Sequence, residues 1–198
     1  MAKEKLTYPN GNVYEGDVVD GKPHGKGKLT NNKKDSVYEG TVYEGDWVNG
    51  KMHGKAKMIW DYGDVYEGDY KEGYRTGKGK YIYSDGTSYE GDFLSGMFDG
   101  KGKYIFSNGT VYEGEFELDK KKGKGKMTFT DGTYYEGDFE DDYFQGKGKK
   151  TYDNGNIYEG DFFEGKPHGK GKITYPDGGA GSGCKVEEGE WKDGEFLG

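Results

Sequence analysis

The stretch Tyr89–Val111, YEGDFLSGMFDGKGKYIFSNGTV, decides the fold of this chain. Its opening tripeptide returns at Tyr66, Tyr112, Tyr135 and Tyr158, always 23 residues apart, and one period before Tyr66 stands Tyr43 of VYEGDW. A fixed period of this size marks an array of small units, each too small to bury a core by itself. Working outward, an earlier start at Tyr14 precedes Tyr43 by 29 residues, so six are inserted within 31–41, where Tyr38 opens an out-of-phase YEG. At the far end Glu187 of EEGEW holds the Tyr place, again after 29 residues, and GGAGSG at 178–183 supplies a flexible insertion. Residues 1–13 close in LTYPNGNV like the end of a preceding unit. The reading is one array over 1–198 with starts at 14, 43, 66, 89, 112, 135, 158 and 187.

Inside a unit the pattern has period 2, as in a strand. Tyr89, Gly91 and Phe93 point one way and Glu90 and Asp92 the other; Gly102, Tyr104 and Phe106 then oppose Lys101, Lys103 and Ile105. This predicts two strands per unit, with a loop at Leu94–Asp99 between them. An Asn-Gly or Asp-Gly turn follows, at Asn10, Asp85, Asn108, Asp131, Asn154 and Asp177. The expected fold is all-β: an elongated, twisted single-layer antiparallel sheet of stacked hairpins. About sixteen strands at ~4.8 Å each would extend about 75 Å. Parity sharpens the turn. Glu90 and Asp92 fall beside Lys101 and Lys103 only if the loop inside the unit is even and the next connection odd. A three-residue loop with Gly109 left-handed in a bulge is therefore expected, because a two-residue turn would set lysines against aromatics.

Composition narrows the function classes. Only 30% of residues are hydrophobic, and 19 Tyr, 10 Phe and 3 Trp supply about half of these, which excludes a thick aliphatic core. The net charge of −8 and a single arginine, Arg75, argue against a nucleic-acid surface. Cys184 is alone, so no internal disulfide forms, and a reducing, cytoplasmic setting is expected. The N-terminus lacks an apolar signal core and no apolar run approaches membrane-spanning length.

One face carries two aromatic rows, Tyr43, Tyr66, Tyr89, Tyr112, Tyr135 and Tyr158, and four residues on Trp47, Tyr70, Phe93, Phe116, Phe139 and Phe162. Rings interleaved with glycine make the core of so thin a sheet. What they leave uncovered forms a groove for an apolar helix or peptide segment of a partner, and these twelve are the expected contact residues. On that basis Phe93→Ala with Phe116→Ala is expected to abolish partner capture and leave the fold intact. The other face carries lysine pairs from Lys26/Lys28 to Lys170/Lys172 against carboxylate pairs from Glu15/Asp17 to Glu188/Glu190, a ladder that neutralises itself. Catalysis is not expected. GYRTGKGK at 73–80 lacks the spacing and the Ser/Thr of a phosphate loop, and His24, His53 and His168 lie in separate units, too far apart for a metal. No cofactor is called for.

YEGDWVNGKMHGKAK (43–57) and YEGDFFEGKPHGKGK (158–172) resemble the MORN repeat, membrane occupation and recognition nexus, across nearly the whole chain. Departures are Ala56 in the Gly-x-Gly pair, Lys150 on the aromatic face, and Glu187. The resemblance implies stacked hairpins in an extended sheet, with membership of cytoskeletal scaffolds, ciliary spokes and junctional membrane proteins, or accessory arms of larger enzymes. The expected function is a non-catalytic scaffold that binds a partner protein, with self-association through terminal strand edges. The alternatives are a phosphoinositide or membrane adaptor and a regulatory arm of an enzyme. The balanced ladder favours the scaffold.

Overall fold

In a computed structural model of the chain, residues 2–32, 34, 39–176 and 184–198 are described. The out-of-phase Tyr38, the Asp177-Gly178 turn and the 178–183 insertion lie outside them. The chain divides into two compact units, residues 1–98 and 99–198. The first holds β1 (Ala2–Thr7), β2 (Val13–Val19), β3 (Lys22–Thr30), β4 (Val42–Val48), β5 (Lys51–Ile59), β6 (Val65–Lys71), β7 (Tyr74–Ile82) and β8 (Ser88–Leu94). At the boundary begins β9 (Met97–Ile105). The second unit continues with β10 (Val111–Glu117), β11 (Lys120–Thr128), β12 (Tyr134–Glu140) and β13 (Tyr143–Thr151). It closes with β14 (Ile157–Phe163), β15 (Lys166–Tyr175), β16 (Lys185–Lys192) and β17 (Glu195–Phe196). Within each unit every strand pairs antiparallel with its sequence neighbour, and no helix occurs among the described residues. The fold is all-β, a meander of hairpin repeats.

The turn between repeats is the three-residue loop that parity requires. Phe106 donates its N–H to the Thr110 carbonyl at 2.9 Å, and Gly109, at φ +89°, donates to the Phe106 carbonyl at 2.8 Å. Asn108 accepts the Thr110 N–H on its side chain at 2.9 Å, which explains Asn or Asp at that place. Faces are preserved across the turn: Tyr112 is opposite Tyr104 and Glu113 opposite Lys103.

Inside the repeat the structure differs from expectation. No six-residue loop separates the strands; Ser95 and Gly96, at φ 52° and 93°, form a two-residue hairpin turn of the primed kind. Residues 97–99 are strand. Length is absorbed instead by a bulge at the first glycine of the Gly-x-Gly pair. In β12 and β13, Gly137 faces Gly148 but Asp138 faces Gln145, so β13 carries two extra residues there. Gly146 takes φ +58°, and Asp138 accepts the N–H of the next residue, Lys147, at 3.1 Å. Two extra residues leave parity unchanged, so the face assignment survives. The repeat's Glu does stand between two lysines, as alternation predicts: Glu136 faces Lys126 and Lys149. The Asp does not face a lysine of its own repeat, because of the bulge. Its second oxygen takes the lysine of the preceding repeat, as in Lys124–Asp138 and Lys147–Asp161, both 2.6 Å. These pairs are exposed and help register more than stability.

Candidate functional site

On the aromatic face the first-row tyrosines Tyr14, Tyr43, Tyr66, Tyr89, Tyr112, Tyr135 and Tyr158 are at most 1% exposed. The rings of Tyr14, Tyr66, Tyr112, Tyr135 and Tyr158 lie against the second glycine of a Gly-x-Gly pair; a Cβ on Gly148 would stand 2.5 Å from the Tyr135 ring. Ala56 is the one residue with a Cβ in that place; it faces Gly45, and Tyr43 of that repeat stays buried. The hydroxyls are satisfied in place, Tyr66 donating to the Asp69 carbonyl at 3.0 Å and Tyr135 to that of Asp138 at 2.7 Å. Burial pushes the Tyr66, Tyr112 and Tyr135 phenols far above their ordinary range and Tyr158 up to about 12.

The second row knits the first together edge-to-face. Tyr66 meets Tyr70 at 5.3 Å and Phe93 at 5.1 Å; Tyr135 meets Phe139 at 5.2 Å and Phe162 at 4.9 Å. Such contacts contribute about 0.5–1.5 kcal/mol each beyond burial. Trp47 fits the same row and donates its Nε1–H to the Gly27 carbonyl at 3.1 Å. All twelve residues singled out from sequence are thus brought together on one face of their units, and all twelve are buried. Phe93 and Phe116 are 3% and 6% exposed, so their replacement by alanine tests stability before it tests binding.

Three further rows went unrecognised as candidate sites. The third stands nine residues after each Tyr, in the segment read as a loop: Pro23, Met52, Arg75, Phe98, Lys121, Phe144 and Pro167. Arg75, Phe98, Lys121 and Phe144 lie over the tyrosine rings of their repeats. Phe98 stacks on Tyr89 at 3.8 Å, Phe144 on Tyr135 at 3.9 Å, and Arg75 stands 5.6 Å over Tyr66. Recognising the bulge would have exposed them. The fourth row pairs directly with the tyrosines, and Lys150 belongs to it, in register with Tyr135 and Tyr158. The outermost row, two residues on, holds Trp60, Tyr83, Phe106, Phe129, Tyr152 and Tyr175. Apart from the buried Trp60, these outer rings are half-buried. Period-2 alternation from Tyr104 places them on this face.

Lys150 is half-buried, with its ammonium 5.7 Å from the Phe144 ring and 5.1 Å from Tyr152. Loss of hydration alone holds its pKa below the ordinary lysine value, and no ion pair to it is found among the described residues. Lys121, by contrast, pairs with Asp142 at 2.5 Å. No group of three metal-ligating side chains occurs among the described residues, and no helix is long and apolar enough to cross a membrane.

The MORN-repeat profile matches residues 14–36, 43–65, 66–88, 89–111, 112–134, 135–157, 158–180 and 188–198. The chain belongs to the MORN-repeat family. Seven matches open at the starts read from sequence, and the eighth opens one residue after Glu187. A search of curated proteins found no match. Among solved structures, the chain is similar to a point mutant of the TCP10 domain of Danio rerio CPAP, with 14% identity and a TM-score of 0.51 over 94% of this chain and 82% of that one. A weaker likeness, with 15% identity and a TM-score of 0.48, is to the TCP domain of Drosophila melanogaster SAS-4 in complex with a proline-rich motif of Ana2; it covers 93% of this chain and 88% of that one. The first likeness is one of fold.

Proposed function

We propose that this chain is a non-catalytic interaction module that binds a segment of a partner protein across its aromatic face. One observation carries the reading: beside a closed inner core, the unit 99–198 keeps an outer strip of half-buried rings, Phe106, Phe129, Tyr152 and Tyr175. The twelve inner residues are the floor that fixes this strip in place. Equivalent rings of adjacent repeats are two strands apart, about 9.6 Å. A polyproline II segment advances about 9.3 Å per three-residue turn, so side chains three apart meet successive rings. A helix repeats its contact face about every 5.4 Å and matches this spacing less well. The family resemblance favours a cytoskeletal or membrane-associated assembly as the setting. Unpaired edges of terminal strands offer a route to self-association.

The test uses peptides selected on the intact chain from a random display library. Phe129→Ala with Tyr152→Ala is expected to weaken binding at least about tenfold, ~1.4 kcal/mol, with the unfolding midpoint kept near wild type. Lys126→Ala with Lys149→Ala, on the opposite face, should change little. Undiminished binding by the first variant would sink the proposal. The competing lipid reading is checked by co-sedimentation with anionic liposomes over a salt series, where strong, salt-sensitive binding would count against a protein partner.

A further inference from the structure

Resting on that reading, we infer that Lys150 makes the aromatic strip of the unit 99–198 selective for a segment bearing a carboxylate, an Asp or Glu set among proline or other apolar residues. Across the face run Met127, Tyr135, Lys150, Tyr158 and Ile173, and the line continues to Glu187, which is already engaged by Lys185 at 2.7 Å and by the Tyr175 hydroxyl at 2.8 Å. An ammonium placed here loses hydration and gains in return only the faces of Phe144 and Tyr152. The nearby cation on this face, Lys121, already has Asp142. The lysines of the opposite face stand along a ladder of carboxylates, as in Lys147–Asp161 and Lys149–Glu159. Among the described residues of this face, Lys150 is thus a cation with no ion pair, its charge left for an arriving group. A desolvated charge recovers most when a partner both covers it and neutralises it.

Several features favour a peptide carboxylate over a membrane. One lysine matches one negative charge, the rings around it match apolar side chains rather than a headgroup layer, and the chain's net charge of −8 repels an anionic bilayer. The spacing adds a register. The residue that meets Lys150 lies near those that meet Phe129 and Tyr175, each about one polyproline II turn away. The expected pattern is apolar-x-x-acidic-x-x-apolar.

The experiment selects random display peptides on the wild-type chain and on Lys150→Met. Methionine stands at the equivalent positions 58 and 127, so this variant is expected to fold. Wild type should enrich one acidic residue flanked at third places by apolar residues, and Lys150→Met should not. In fluorescence anisotropy, changing that acid to its amide should weaken binding to wild type about tenfold and to Lys150→Met less than about twofold. Lys150→Glu should prefer the same peptide with lysine in place of the acid. Equal binding of acid and amide by wild type would overturn the inference. If those peptides still depended on Phe129 and Tyr152, the aromatic face would stand as the binding surface and only the role of Lys150 would fall. If they depended on neither, both would fall. Lys150-dependent binding to phosphatidylserine vesicles without acidic enrichment would replace the peptide by a membrane.

Discussion

The repeats 66–88 and 135–157 share one scaffold and treat charge on the aromatic face in opposite ways. In the first, Arg75 stands over Tyr66, Tyr81 and Phe93, and its Nη2 donates to the Gly96 carbonyl at 2.7 Å. Just ahead of that repeat, buried Asp64 accepts the Tyr81 hydroxyl at 2.6 Å and the Ser84 N–H at 2.9 Å. In the second, Phe144 replaces Arg75 as the lid on the tyrosine and Lys150 replaces Tyr81. One repeat satisfies its polar groups internally; the other leaves a cation to be satisfied from outside. In the proposed reading, repetition builds the surface and the break in repetition selects what binds it.

The largest expected effect is common to both repeats. A phenol harder to ionise when folded than when unfolded stabilises the fold below its ordinary value of 10.0, and that contribution is lost as pH climbs toward the folded value. Tyr66 and Tyr135 should each remove about 1.4 kcal/mol per pH unit between 10 and the folded-state value. Phenolate absorbance and far-ultraviolet circular dichroism should then change together in one alkaline titration. Phenolate forming near pH 10 with the sheet intact would contradict the burial.

Next in size, Tyr66→Ala and Tyr135→Ala should each destabilise by about 3–5 kcal/mol in denaturant unfolding. A large difference between them would break the claim of a shared scaffold. The smallest effects sharpen the contrast, because their signs are opposite. Arg75→Met removes a bonded guanidinium over three rings and should cost about 1–2 kcal/mol. Lys150→Met removes a desolvated, unpaired charge and should stabilise by about 0.5–1 kcal/mol. Destabilisation by Lys150→Met would mean that the cation serves the fold rather than a partner.

Much of this was legible in the residues. Alternation assigned Tyr66, Tyr70 and Lys150 to the aromatic face, and parity fixed the three-residue turn at Gly109, because a one-residue slip would invert every side chain. The internal turn at Ser95-Gly96 was not legible. Its geometry goes with a bulge like that in the register of β12 and β13 at Gly146; Gly100, the equivalent residue, shares the positive φ, which no pattern of alternation records. Misreading that segment as a loop hid Arg75, Lys121 and Phe144, which lie over the tyrosines. Exposure was equally hidden, since Phe93 and Phe129 are the same residue type, each on the aromatic face of its own unit. Phe93 is closed in by Tyr66, Tyr89 and Phe98, whereas Phe129 lies at the outer edge beside the turn.

The chain alone determined the repeat, the all-β class and the sorting of aromatics from charges, because period and parity are properties of order along a strand. Only the tertiary structure decided which rings are sealed and which stay partly exposed, and that Lys150 meets no counter-charge among the described residues. Those outcomes depend on neighbours brought one and two strands away across the sheet, a distance that linear order does not express.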